Sequence, residues 1–526
     1  MDGAARPAAP AGIDPAVAAG AAGLTVAALF AQRARLDAGR VALEEGERRW
    51  TYAQLDARAS QLANALAARG VGRGDRVAIL SENRAEYIEL LLACARLACI
   101  AACQNWRMAD GELRHCLGLV EPALIVASPR FADTARSLAV ELPGAPEVLE
   151  MGEAYEAALA TESEQPPAAT PHPEDGLVIL YTSGTTGLPK GALISQRAEV
   201  ARAMVAASDL PTTPEDAFVA WAPLFHMAST DTSLATLMNG GKVIVQDGYE
   251  ADALADVVAR ETIGRLTLMP GMIGGFIEAM KRQGKPAKGV KYCGVMADLV
   301  PREQLVEITT LLDAPYLNTF GATETGSTPA SRGRIPVGQV PARLDKTQNS
   351  WCLVKLVDEE DREVADGEPG EMCVRGPTLF SGYWNNPETN AKDFRGGWFH
   401  MGDVFTRNPD GTLSFVDRRK YLIKSGGENI YPAEIERVLL AYPGVVDAIV
   451  VRREDAKWGE VPVAFVVRRT EAVTEEALIE ACRGEIARYK IPKAVRFVED
   501  AELPRSVTGK IKRQDLEARL KQEKAG

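Results

Sequence analysis

The chain has 526 residues, 46% hydrophobic and 25% charged, a composition that fits a folded protein and excludes intrinsic disorder. At about 150 residues per domain, this length implies roughly three or four folding units. Its 72 acidic and 60 basic residues give a net charge of −12. That balance excludes a general nucleic-acid binder, which needs a positive surface for phosphate.

Residues 1–22 are rich in Ala, Gly and Pro and lack a basic segment followed by an apolar one, so they are expected to be mobile and not a secretion signal. No apolar run reaches the ~18 residues of a membrane span. The eight cysteines include no CxxC pair, which argues against a zinc or redox site and for a reducing compartment. A cytoplasmic protein is the expectation.

Trp50-Thr51-Tyr52 leads into an Ala/Leu-rich helix ending near Gly70. Asp75–Leu80 follows a Gly-Arg-Gly turn and reads as a buried strand. Ala85–Ala102 is expected to be helical, with Cys99 and Cys103 as small core residues. Ala123–Ala127 is another short apolar strand. Such alternation implies an α/β unit with a largely parallel sheet. Four prolines in residues 161–175 mark a connector. A second strand–helix alternation runs to about residue 340. Residues 351–417 are β-rich, with Gly, Asp and Pro turns. The remainder reads as a small α+β unit. Pro432 opens a helix, where its missing N–H costs nothing. Ala448–Val451 and Val461–Val467 read as strands, and Glu475–Arg488 as an amphipathic helix.

The strongest local signal is Tyr181-Thr182-Ser183-Gly184-Thr185-Thr186-Gly187-Leu188-Pro189-Lys190-Gly191, set between the apolar runs Leu177–Leu180 and Ala192–Ile194. Its glycines let backbone N–H groups approach an anion. The hydroxyls of Thr182, Ser183, Thr185 and Thr186 add donors, and Lys190 adds charge. The assembly suits a polyphosphate, yet it is not a Walker A loop, which needs GxxxxGK[ST] entering a helix.

This block resembles the signature phosphate loop of the adenylate-forming superfamily, which includes acyl-CoA synthetases, non-ribosomal peptide adenylation domains and beetle luciferases. The resemblance runs from about residue 25 to 520. It implies an α/β fold: a large N-terminal domain of doubly wound αβαβα sheets with a small β-barrel-like subdomain, then a small mobile α+β C-terminal domain. The expected divisions are a large adenylating domain over 23–417, a hinge over 418–420 and a small domain over 421–526.

Further motifs follow in the order the resemblance implies. Asn318-Thr319-Phe320-Gly321-Ala322-Thr323-Glu324 resembles the aromatic-Gly-x-Thr-Glu motif. Phe320 offers a face for adenine, and Gly321 a close backbone approach. Asn318 and Ala322 join the ATP site, Thr323 donates to phosphate, and Glu324, with Thr186, offers oxygen to Mg²⁺. Trp398–Asp403 resembles the Thr-Gly-Asp motif, with Met401 where the family usually has Thr. Asp403 would accept from the ribose hydroxyls. Arg418 is implied as a second nucleotide contact and Lys420 as the hinge. Lys510, in a Thr-Gly-Lys turn, matches the adenylation lysine, whose charge would stabilise the developing transition state.

For coenzyme A, the resemblance implies Lys424, Ser425, Gly426 and Gly427 along the pantetheine path. Arg107, Trp458, Tyr489 and Lys493 would lie at its nucleotide end. The acyl pocket is expected to include Trp221, His226, Met227, Ser229, Thr230, Val295, Met296, Ala297, Gly321 and Ala322, with His226 as a gate. Val295-Met296-Ala297 replaces a common Gly-Gly-Ala, which favours a medium-chain, aromatic or alicyclic acid. The reaction implied is ATP-dependent formation of acyl-AMP and then acyl-CoA, with rotation of the small domain between the steps. Its partners are a small acid and CoA, without nucleic acid, and a homodimer is the candidate assembly. The alternatives are loading of a carrier-protein thiol, a longer-chain fatty acyl-CoA synthetase, a luciferase-like oxygenase and a non-enzymatic nucleotide binder.

Overall fold

A computed structural model of the chain describes residues 14–183, 188–426, 428–505 and 511–525. It divides into two compact units. One comprises the chain through Leu353 together with Arg375–Lys392. The other comprises Val354–Val374 and the residues from Asp393 onward.

The first unit is built on two sheets. The six-stranded one runs in the order Glu147–Glu150, Leu124–Ala127, Arg76–Leu80, Ile100–Cys103, Gly176–Ser183, Pro189–Ser195. Its pairings are parallel except for the last, an antiparallel hairpin. Val77–Leu80 and Ile100–Cys103 are buried throughout, as expected of strands covered on both faces. The eight-stranded sheet has Gly289–Cys293, Thr262–Leu266, Ala217–Ala220 and Lys242–Val245 at its centre. Helices Ala251–Arg260 and Ile273–Gln283 pack on it through Leu254, Val258, Ile273 and Phe276.

The helix expected over Ala85–Ala102 ends at Leu97. Ala98 turns left-handed at φ 58°, and Ile100–Cys103 becomes a strand beside Arg76–Leu80. An unbroken apolar run carries no period to separate the two states. All eight cysteines are buried and unpaired by disulfides. In the N-terminal segment, Pro15–Ala22 is helical.

The second unit has a four-stranded sheet of Leu353–Val357, Gly370–Arg375, Phe399–Arg407 and Leu413–Arg418, and a five-stranded sheet around the hairpin Val445–Asp455/Gly459–Arg468. Strands before the expected hinge therefore group with the C-terminal residues. Asp417 links the two parts of this unit: its Oδ2 accepts from Ala433 N at 2.8 Å, in the first turn of helix Pro432–Leu440. The helix expected over Glu475–Arg488 stops at Cys482. Arg483 is extended and Gly484 has φ 88°, a conformation that ends a helix.

Candidate functional site

In the first unit the phosphate-loop hairpin pairs Thr182 with Lys190 and Ser183 with Pro189. Gly184, Thr185, Thr186 and Gly187, at its tip, lie outside the described residues. Residues 381–384 extend this hairpin: Leu193 N donates to Gly382 O at 3.0 Å, and Trp384 N to Gly191 O at 2.7 Å. That strip delivers Tyr383 to the site. Its hydroxyl donates to Glu324 Oε1 at 2.8 Å, and Lys190 Nζ stands 4.3 Å from its ring centroid. The phosphate-loop cation and the predicted metal ligand are thus joined through one buried tyrosine. Sequence reading missed Tyr383, which sits in no motif of its own.

The turn carrying Thr323 and Glu324 is a tight hairpin of Gly321–Ala322 against Gly326–Pro329. A Cβ on Gly321 would lie 2.2 Å from Gly326 O, so only glycine fits there. Phe320 is half-buried, and its N–H donates to Ser331 Oγ at 3.0 Å. Ala322 N donates to Thr325 Oγ1 at 3.1 Å. Arg202 braces the turn from helix Gln196–Asp209, donating to Thr323 O at 3.0 Å, Thr378 O at 3.1 Å and Asp231 Oδ2 at 3.1 Å. Asn318, expected at the nucleotide, is held by bonds within this unit. Its Nδ2 donates to Leu344 O at 2.7 Å and Asp345 O at 3.1 Å, and its Oδ1 accepts from Lys346. Lys346 is 1% exposed and also pairs with Asp298. Burial pushes its ammonium below the ordinary lysine value, against the pull of Asp298.

The predicted acyl residues sort by what they touch. His226 is exposed and is the N-cap of helix Met227–Met238, with Nδ1 accepting from Ala228 N at 3.3 Å. Met227 is half-buried. Trp221 donates to Thr267 O at 2.9 Å and meets Tyr249 edge-on at 5.4 Å. Ser229 and Thr230 are fully buried, with their hydroxyls on Ala222 O and Leu224 O, each at 2.6 Å. Those bonds hold the preceding loop. Val295 O accepts from Tyr316 Oη at 2.8 Å. Met296 is left-handed at φ 47° and 40% exposed, while Ala297 is buried. Arg107 lies over the rings of Trp106 and Phe225, 5.0 and 6.0 Å from their centroids.

In the second unit Asp403 pairs in register with Arg418, whose Nε stands 3.0 Å from Asp403 Oδ1. Asp403 is 2% exposed. Lys420 lies in a short 3₁₀ turn, with Nζ 4.9 Å from the Tyr421 ring. Lys424 donates to Glu359 Oε1 at 2.7 Å, and Ser425 is buried. Gly426 has φ 61°, and its N–H donates to Trp458 O at 2.8 Å. A Cβ on it would come within 2.7 Å of the Trp458 ring, so the glycine lets indole and backbone touch. Trp458 and Tyr489 are exposed aromatics. Lys493 N donates to Pro462 O at 2.9 Å. Gly427 and Lys510 lie outside the described residues. Arg505 and Ile511 form an isolated antiparallel bridge.

Glu371 centres a charged cluster on the four-stranded sheet. It faces His400 Nδ1 at 3.3 Å, Arg395 at 3.2 Å, and Arg419. Burial alone would raise its carboxyl, but these cationic and hydrogen-bonding neighbours hold it at about 2. No sequence motif signalled this cluster.

Comparison with known proteins identifies the family. Residues 30–384 match the family model described as AMP-binding enzyme, and 434–510 match the AMP-binding enzyme C-terminal domain. The chain is 33% identical to the indoleacetate–CoA ligase of Aromatoleum aromaticum over 504 residues, covering 92% of this chain and 96% of that one. It is 32% identical to a feruloyl-CoA synthase of Amycolatopsis sp over 498 residues, covering 93% and 98%. Among solved structures it resembles o-succinylbenzoate CoA synthetase from Bacillus subtilis in complex with its acyl-adenylate intermediate. The TM-score there is 0.80 at 26% identity, with 94% and 98% of the two chains covered.

Proposed function

The chain belongs to the AMP-binding enzyme family, and we propose that it adenylates an aromatic carboxylic acid with ATP and passes the acyl group to coenzyme A. It is an AMP-forming acid–thiol ligase. In the first step a carboxylate oxygen attacks the α-phosphorus of ATP, and the bond to the β-phosphate breaks to release pyrophosphate. In the second step the CoA sulfur attacks the acyl carbon, AMP leaves with the former carboxylate oxygen, and the thiol proton goes to solvent. Such chemistry is carried mainly by positioning and charge neutralisation.

The observation that carries this reading is the Lys190–Tyr383–Glu324 chain, which ties the phosphate-loop hairpin to the Thr-Glu turn. Glu324 and Thr186 would hold Mg²⁺, which supplies neutralising charge at the phosphates. Glu324 suits the ion, because Tyr383 occupies Oε1 and leaves Oε2 as a hard oxygen donor. Asp403 and Arg418 take the ribose, and Lys510 approaches the α-phosphate in the adenylating state. Rotation about Lys420 then withdraws Lys510 and brings Gly427 to the thiol path. Aromatic acids are favoured by relatives named for indoleacetate and ferulate, and by Val295 and Met296 in place of smaller residues.

The test is pyrophosphate release with ATP, Mg²⁺ and a panel of aromatic, alicyclic and straight-chain acids. Aromatic acids should give the highest kcat/KM, and a best substrate of palmitate length would defeat the assignment of acid class.

A further inference from the structure

Three strands of the first unit end around one buried side chain. Asn83 lies just beyond strand Arg76–Leu80 and is 5% exposed. Its Nδ2 donates to Ala220 O at 2.9 Å, Ala222 O at 2.8 Å and Gln246 O at 3.1 Å, and its Oδ1 accepts from Leu224 N at 2.8 Å. Ala220 closes strand Ala217–Ala220, and Gln246 follows strand Lys242–Val245. The amide therefore joins the six-stranded sheet to the eight-stranded one at the carboxyl ends of parallel strands, the edge where open α/β sheets bind ligands. An amide side chain offers donors at one end and an acceptor at the other, and both ends are used here.

The loop from Ala222 to Leu224 is bonded from both sides. Asn83 holds Ala222 O and Leu224 N, while Ser229 Oγ donates to the same Ala222 O and Thr230 Oγ1 to Leu224 O. The next two residues take their places from this loop. Phe225 is buried, edge-on to Trp106 at 6.4 Å and with the Arg107 guanidinium 6.0 Å from its ring centroid. His226 N donates to Pro223 O at 3.0 Å, which sets the histidine at the start of its helix. The pinned loop thus presents Phe225 to Arg107, the residue expected at CoA, and places His226, the expected gate. Other bonds hold the adenylating residues. Glu324 is fixed by Tyr383, the Thr-Glu turn by Arg202, and the Trp221 indole by Thr267 O.

We infer that Asn83 is a positioning residue for the thioester-forming step, holding the Ala222–Leu224 loop so that Phe225 and His226 form a fixed wall of the path taken by the CoA thiol. This rests on the CoA-transferring reading above. Asn83 touches no reacting atom and acts through the loop. Without its amide, Leu224 N and three carbonyls lose a shared partner, and the loop gains freedom on the side facing CoA. A misplacement of about 1 Å in a reacting constellation lowers a rate by up to about 10²-fold.

The test separates the two half-reactions in the whole protein. The single-turnover rate of pyrophosphate release is measured with ATP, Mg²⁺ and 3-phenylpropenoic or indole-3-acetic acid in the absence of CoA. Acyl-CoA formation is measured from CoA and the synthetic adenylate of the same acid. Asn83→Ala should lower thioester formation at least about tenfold and leave pyrophosphate release within about threefold of wild type. Asn83→Asp keeps an acceptor for Leu224 N but turns a carboxylate oxygen toward the three carbonyls, so it should show the same split. Ser229→Ala removes the bond on the other side of Ala222 O without touching the contact between the sheets. It should lower the same half-reaction, and it decides the matter if neither Asn83 variant folds by thermal melting. Equal loss in both half-reactions, as a purely structural role would give, or thioester formation within about threefold of wild type in every folded variant, would overturn the inference. Wild type that releases pyrophosphate but forms no thioester overturns the CoA-transferring reading and this inference together, a result distinct from any failure confined to the variants.

Discussion

Replacing Tyr383 by Phe removes one oxygen from the site and little else. The ring remains, so the 4.3 Å contact with Lys190 and the edge-on contact with Phe380 at 4.9 Å both persist. The loss is the 2.8 Å hydrogen bond to Glu324 Oε1, made to a carboxylate that is 9% exposed. A hydrogen bond to a charged group contributes about 1.5–3 kcal/mol. If that bond holds Glu324 in its metal-binding position, kcat/KM for adenylation should fall about 10- to 100-fold, at ~1.4 kcal/mol per factor of ten. The fall should be steepest at low Mg²⁺ and partly recovered at high Mg²⁺. A coupled pyrophosphate assay across a Mg²⁺ titration measures it, with thermal melting as the control for folding. Activity within twofold of wild type at every Mg²⁺ concentration would refute the claim that Tyr383 positions Glu324.

Gly321→Ala should lose adenylation and lower the melting temperature, because its Cβ would fall 2.2 Å from Gly326 O; calorimetric titration with ATP and a melting curve report the two effects. Glu371 is held at about 2, below the ordinary carboxylate value of 4.5, so its contribution to stability is full above 4.5 and is lost as the pH falls through 2. Urea midpoints measured between those limits should therefore decline with acid in wild type and decline less in Glu371→Gln. Lys510→Ala should reduce adenylation about 10²- to 10³-fold, the usual effect of removing one preorganised group. It should spare thioester formation from supplied acyl-adenylate, and equal loss in both half-reactions would contradict the role given to Lys510.

The phosphate-loop hairpin and the Thr-Glu turn were legible as local elements because each is a short contiguous motif whose turn residues lie in its own sequence. Tyr383 was not, since it works through residues far away in the chain and appears in sequence as an ordinary aromatic after a glycine. Arg202 was hidden for a related reason. Buried arginines are recognised by the carboxylates and carbonyls around them, and those come from other elements. On helix Met227–Met238, Ser229 and Thr230 turn back to the preceding loop, while Asp231 and Thr232 line a cavity. A helix turns 100° per residue, so adjacent positions face different neighbours. The strand Ile100–Cys103 was masked by an apolar run without period, and only the left-handed Ala98 marks the boundary.

The central claim is carboxylate adenylation followed by transfer to CoA, and product analysis tests it most directly. The purified protein is incubated with ATP, Mg²⁺ and an aromatic acid, with and without CoA, and nucleotides and thioester are separated by chromatography. The account predicts pyrophosphate in both cases, and AMP and acyl-CoA in equal amounts when CoA is present. ADP in place of AMP, or AMP without any thioester when CoA is supplied, would contradict it.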